Sequence, residues 1–141
     1  MSYQASASII INAPVEQVWA GLTEPELVKQ YFFGTDLSTS WEVGSPIVFT
    51  GEWEDKTYED HGTVLSYEKP HSLSYTYWSG FAGEPDLPEN YQTLTYTVEE
   101  LPDGVKVTIK QDNAATQESA DHSAENWNKV LKSLKELIEP N

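Results

Sequence analysis

The amino-acid sequence predicts an α+β fold: one strand, two short helices, about six further strands in an antiparallel sheet, then a long C-terminal helix. Three observations predict it. The apolar period is helical after the first strand, becomes two across the middle of the chain, and is helical again at the end. The period-two segments set apolar residues against Thr, Lys and Glu, the pattern of an antiparallel sheet with one wet face. The last apolar positions, Ala120, Ala124, Trp127, Leu131, Leu134 and Ile138, alternate steps of four and three, one stripe of a long helix. Helices thus gather on one face of a single sheet.

Each element has its own local reason. "ASASIIINAP" alternates with Ala5, Ala7, Ile9 and Ile11 on one face, a strand. In "APVEQVWAGLT", Pro14 suits the first helical position and Val15, Val18, Trp19 and Leu22 fall at i, i+3, i+4 and i+7. "TEPELVKQYF" is a second short helix ending near Gly34, where Tyr31, Phe32 and Phe33 stand in a row. "SPIVFTGEW" places Ile47, Phe49, Gly51 and Trp53 on one face. "HGTVLSYEKP" sets Gly62 and Val64 against Thr63, Leu65 and Tyr67, and "HSLSYTYW" aligns Leu73, Tyr75 and Tyr77. "YQTLTYTVEE" aligns Leu94, Tyr96 and Val98; "LPDGVKVTIKQ" opens on a Pro-Asp-Gly turn and aligns Val105, Val107 and Ile109. In the last segment Gln117, Glu118 and Asp121 stand near the start and Lys129, Lys132 and Lys135 in the later half, which complements the helix dipole, and Pro140 ends it. Ser79 to Tyr91, with two Gly and two Pro, is a loop long for a hairpin.

The totals exclude several function classes. The 141 residues favour a single domain spanning 1–141, and 38% apolar content with 5 Trp, 8 Tyr and 4 Phe supports a core. The formal charge is −15, and all 8 basic residues are Lys. Nucleic acid and anionic membrane surfaces are therefore not expected partners, and the bidentate clamps that Arg offers to anions are missing. Without Cys there is no disulfide, thiolate metal site or Cys nucleophile. The N-terminal stretch lacks a basic n-region and no segment approaches the ~20 apolar residues of a membrane span, so a cytoplasmic protein is expected.

Three stretches carry a family resemblance. "INAPVEQVWAGLTEPELVKQYF", "HGTVLSYEKPHSLSYTYW" and "NWNKVLKSLKELIE" follow, in order, the opening, the hairpin and the closing helix of a known family. The chain resembles the bacterial single-domain homologues of the activator of the heat-shock-protein-90 ATPase, within the START and birch-pollen-allergen-like (SRPBCC) superfamily. The resemblance covers nearly the whole chain. It implies the helix-grip fold, a curved antiparallel sheet wrapped around the long C-terminal helix, and a cavity between the two that often holds an apolar small molecule. Asn126 departs from the pattern, which usually has Gly before the Trp. That departure bears on how closely the helix approaches its neighbours.

The candidate site is the inward aromatic set. Alternation turns Phe49, Trp53, Tyr75, Tyr77, Leu94 and Tyr96 inward; Trp127 and Leu131 come from the long helix, and Trp19, Phe32 and Phe33 from the end caps. These residues either pack a solid core or wall a ligand cavity, with tyrosine hydroxyls as its polar handles. The inward set holds no ionisable acid or base, which weighs against acid–base catalysis. His61, His71 and His122 lack metal-site spacing, so no metal or cofactor is expected. The acidic run with Glu52, Glu54, Asp55, Glu59 and Asp60 reads as a solvated hairpin. The expected function is binding of an apolar, aromatic or lipid-like molecule by a monomer or weak dimer. The alternatives are a non-catalytic module that binds a chaperone, which the family implies, and a cyclase- or hydrolase-type enzyme using the same cavity.

Overall fold

The computed structural model describes residues 3–31, 35–53, 56–79, 85–87, 90–114 and 116–139. The order is β1 (Tyr3–Ile11), α1 (Val15–Thr23), α2 (Pro25–Tyr31), β2 (Asp36–Thr39), β3 (Pro46–Trp53), β4 (Lys56–Glu68), β5 (Ser72–Ser79), β6 (Gln92–Leu101), β7 (Gly104–Ala114) and α3 (Gln117–Ile138). The strands form one curved seven-stranded antiparallel sheet in the order β1-β7-β6-β5-β4-β3-β2. Strands β2 to β7 are a meander, and the first strand closes it beside the last. This is the helix-grip architecture.

Helix α3 lies on the concave face, packed mainly along β1 and β7 and touching both short helices. Its stripe buries Ala120, Trp127, Val130, Leu131 and Leu134, and the last four share one core cluster with Ile11, Leu73, Val107 and Ile109 of the sheet. Thr116 caps its start, its hydroxyl accepting from the Ser119 amide at 3.0 Å. Its far end is fastened to the end of β1. Lys135 Nζ donates to the Ile10 carbonyl at 2.7 Å and to Glu139 at 2.8 Å, and the Asn12 amide donates to Glu139 at 2.7 Å. These groups are solvated and add little energy, but they set where the helix stops along the strand.

Two details of the chain's path differ from expectation. Pro14 is the residue before α1 rather than its first turn, because its ψ of 145° is extended. Tyr67, expected to share a face with Thr63 and Leu65, instead packs against the core. The register of β4 against β5 slips between Val64 and Ser66, and a bulge there reverses the alternation. Tyr67 then pairs with buried Leu73 and receives a hydrogen bond from the Trp19 indole at 3.1 Å. The short edge strand β2 carries no alternation long enough to read in the sequence; of its four residues only Leu37 is buried.

Two glycines are required by their surroundings. Gly104 follows the tight Pro102–Asp103 turn with a φ of 154°, where side chains are disfavoured. At Gly62 a Cβ would sit 1.6 Å from the Thr76 carbonyl oxygen, so β4 and β5 approach one another only because no side chain intervenes. Gly62→Ala is expected to destabilise the fold by about 3 kcal/mol, measured by urea unfolding. Lys132→Ala, on the solvated side of α3, is expected to stay within about 0.5 kcal/mol of the parent. Equal values for the two would contradict the close approach at Gly62.

Candidate functional site: a cavity under the C-terminal helix

A half-enclosed cavity of about 260 Å³ lies between the sheet and α3. Its walls are Phe49 of β3, Tyr75 and Tyr77 of β5, Leu94 of β6, Gln111 of β7, and Ser123, Asn126, Trp127 and Val130 of α3. At about 30 Å³ of liquid per water, this is room for roughly eight waters or a compound of one or two rings.

The strand register explains the floor. Tyr75 pairs with Leu94, and Leu94 with Gln111, so three neighbouring strands supply one continuous row. The helix explains the roof: Ser123, Asn126, Trp127 and Val130 stand three and four apart and share a face. The space persists because this half of α3 carries short side chains toward the sheet. Ala120 and Ser123 stand there, whereas Leu131 and Leu134 fill the other half completely.

The polar groups around the cavity are largely committed to one another. The Trp127 indole donates to Gln111 Oε1 at 2.7 Å, and Gln111 Nε2 donates to Gln92 Oε1. The Tyr75 and Tyr96 hydroxyls bond each other at 2.7 Å. Tyr77 donates its hydroxyl to Asp60 Oδ2 at 2.5 Å. Burial pushes the Tyr96 phenol up to about 12, and pushes Tyr75 and Tyr31 well above the ordinary tyrosine value.

The sequence-derived set divides clearly. Phe49, Tyr75, Tyr77, Leu94 and Trp127 line the cavity. Trp19, Tyr96 and Leu131 are buried but are not among its lining residues. Trp19, 1% exposed, belongs to the cluster under α1, with Tyr67 at 5.5 Å between ring centres. Tyr96 stands behind Tyr75, one row further along the sheet, and Leu131 is in the filled half of the core. Phe32, Phe33 and the side chain of Trp53 lie outside the described residues.

The residues that were missed had signals of their own. Gln111 is the next step of the Val105, Val107, Ile109 alternation, and only 9% exposed. Ser123 lies four before Trp127, and Val130 three after it. Asn126, the departure from the family pattern, is an exposed residue on the cavity wall. Asp60 corrects an expectation. It was placed in a solvated acidic hairpin, yet it is 7% exposed and directly opposite Phe49 in the register. Extending the Gly62, Val64 alternation back one step would have turned it inward.

His61 lies on the opposite face of the sheet. Its Nε2 is 2.9 Å from Asp86 Oδ2 and 3.0 Å from the Tyr91 hydroxyl, and Tyr91 also donates to Asp86. The hydrogen bond to Asp86 raises the Tyr91 phenol to about 12; the hydrogen bond from Tyr91, with the one from His61, lowers the Asp86 carboxyl. This group ties Pro85–Leu87 to the outer face, away from the cavity. His71 and His122 are exposed. Among the described residues no group of three or more His, Cys, Asp or Glu is placed to hold a metal, and no helix is long and apolar enough to cross a membrane.

The comparisons with known proteins agree with this fold. The family model "Activator of Hsp90 ATPase homolog 1-like protein" matches residues 12–139. The chain belongs to that family. The solution structure of a Cytophaga hutchinsonii protein is 45% identical, covers 95% of this chain and 92% of its own, and superposes with a TM-score of 0.83. A Chromobacterium violaceum protein is 20% identical over 98% of both chains, with a TM-score of 0.78. The Aha1 dimer from Colwellia psychrerythraea is 18% identical over 97% of this chain and 96% of its own, with a TM-score of 0.74. The last two likenesses are of fold. No curated protein matches the chain.

Two measurements check the site. Trp127→Ala is expected to cost about 3–5 kcal/mol in denaturant unfolding, because it opens a void beside the cavity and strips Gln111 of its donor. A cost under about 1 kcal/mol would mean the indole is not part of the core. The raised phenols set the alkaline limit. Their folded pKa values exceed the unfolded value of about 10, so the stabilisation is complete below pH 10 and is lost as pH rises toward 12. Phenolate absorbance of Tyr31, Tyr75 and Tyr96 is therefore expected to appear together with loss of the native circular dichroism, not near pH 10 in the folded protein.

Proposed function

We propose that this member of the family binds a small, apolar, aromatic molecule in the cavity beneath α3. The observation that carries the proposal is the cavity wall itself. Four aromatic rings, Phe49, Tyr75, Tyr77 and Trp127, converge on one space with Gln111, Ser123 and Asn126 as a few polar points. Binding pockets are commonly built this way, apolar walls with sparse polar groups to orient the ligand. The volume supports a ligand of one or two rings rather than a long lipid chain.

Indole titrated into isotope-labelled protein is expected to give saturable shifts at the Trp127 indole N–H and at Leu94 and Val130, with little change at Leu134. Ser123→Phe, which fills the space from the helix side, is expected to abolish those shifts while the rest of the spectrum stays native. Unchanged spectra in the parent protein at millimolar indole would sink the ligand-binding reading.

The family description supports a second reading, a module that stimulates the heat-shock-protein-90 ATPase. Its acidic surface, at a net charge of −15, suits a basic docking face, where charge sets mainly rate and specificity. ATP turnover by the chaperone with and without this protein tests that reading independently of the cavity.

A further inference from the structure

Asp60 has one carboxylate oxygen without a partner among the described residues. Tyr77 donates to Oδ2, whereas Oδ1 is buried and has no hydrogen-bond partner among the described residues. A buried polar atom left unpaired is costly, more so when charged, so a native structure retains one only for a reason. No ion pair described here reaches it; the pairs found are Lys29–Asp36, Lys135–Glu139 and His61 with Glu59 and Asp86.

Asp60 stands immediately behind the cavity wall. Its partner across the strands, Phe49, and its hydrogen-bonded neighbour, Tyr77, both line the space. The Tyr77 hydroxyl directs its O–H to Asp60, so toward a further donor its oxygen acts as an acceptor. Phe49, Tyr75, Tyr77 and Trp127 all line the space, and an aromatic wall attracts a cation wherever it meets a ring face. The net charge of −15 raises the local concentration of cations around the protein. Among the described residues no Lys lines the cavity, and the chain has no Arg, so an anionic ligand finds no counter-charge on the described wall. All of these terms have the same sign.

We propose that the cavity selects protonated aromatic amines, with the ammonium on the Tyr77 hydroxyl oxygen and the Asp60 charge behind it, and disfavours aromatic carboxylic acids. This rests on the ligand-binding reading above and names the ligand's chemistry. The test compares phenethylamine, ethylbenzene and 3-phenylpropionate at neutral pH, by NMR shifts of the Trp127 indole N–H and by calorimetry. The amine is expected to bind about tenfold or more tightly than ethylbenzene, the worth of one charge-assisted hydrogen bond, and the carboxylate weakest. In Asp60→Asn the amine is expected to lose that advantage while ethylbenzene is unchanged; Tyr77→Phe is expected to weaken the amine in the same direction.

Equal binding of amine and ethylbenzene by the parent protein overturns the inference and leaves the ligand-binding reading standing. So does an amine preference that survives in Asp60→Asn, since it would then come from the overall charge. If none of the three compounds moves the Trp127 signal, the ligand-binding reading falls, and this inference with it. If Asp60→Asn fails to fold, Tyr77→Phe supplies the same comparison: an amine preference undiminished in that variant overturns the inference.

Discussion

The hydrogen bond from the Trp127 indole to Gln111, 2.7 Å long, joins the long helix to the sheet at the place where apolar packing alone does not. Beyond Leu131, leucine side chains on α3 reach the sheet and fill the space between. Before Trp127 the helix carries Ala120 and Ser123, which are too short to do so. A tryptophan large enough to span the gap, held by a glutamine that is itself bonded to Gln92, fixes the helix at that height. The remaining volume is the cavity. Its size is thus a consequence of one spacer, not of a general looseness of the core.

The interior around that spacer is unusual in its polar content. Buried hydroxyls and amides require partners, and here they are paired with each other: Tyr75 with Tyr96, Gln111 with Trp127 and Gln92, Tyr77 with Asp60. Each pairing fixes which way a hydroxyl or amide points, and so determines what a visiting molecule would meet. Rings supply most of the surface and a handful of oriented dipoles supply its direction. Among the described residues Asp60 is the exception to full pairing, and it lies against this same wall.

Much of the fold was legible in the sequence. The strands with five or more alternating positions, and the α3 stripe, were readable because each buries one face and solvates the other. The same rule turned Phe49, Tyr75, Tyr77, Leu94 and Trp127 inward, toward the space they line. Gln111 and Asp60 were not, because their residue types argue for solvent while their positions argue for the core. Position prevails where a neighbour can take the polar atom, as Trp127 does for Gln111. Tyr67 was misdirected for a different reason: a bulge adds a residue without any mark in the hydrophobic pattern.

The sequence by itself determined the order of the elements other than β2, the concave apolar face and the absence of Arg and Cys chemistry, because these depend on local period, residue type and composition; the family was legible in three motif stretches. Only the tertiary structure decided which buried aromatics surround empty space and which are solid core. Trp19, Tyr96 and Leu131 are as apolar and as well buried as Trp127, and nothing in their spacing separates them. What separates them is where each stands relative to the opening between α3 and the sheet. That opening is lined jointly by residues far apart in the chain, Ser123 and Trp127 on one side, Tyr75, Leu94 and Gln111 on the other.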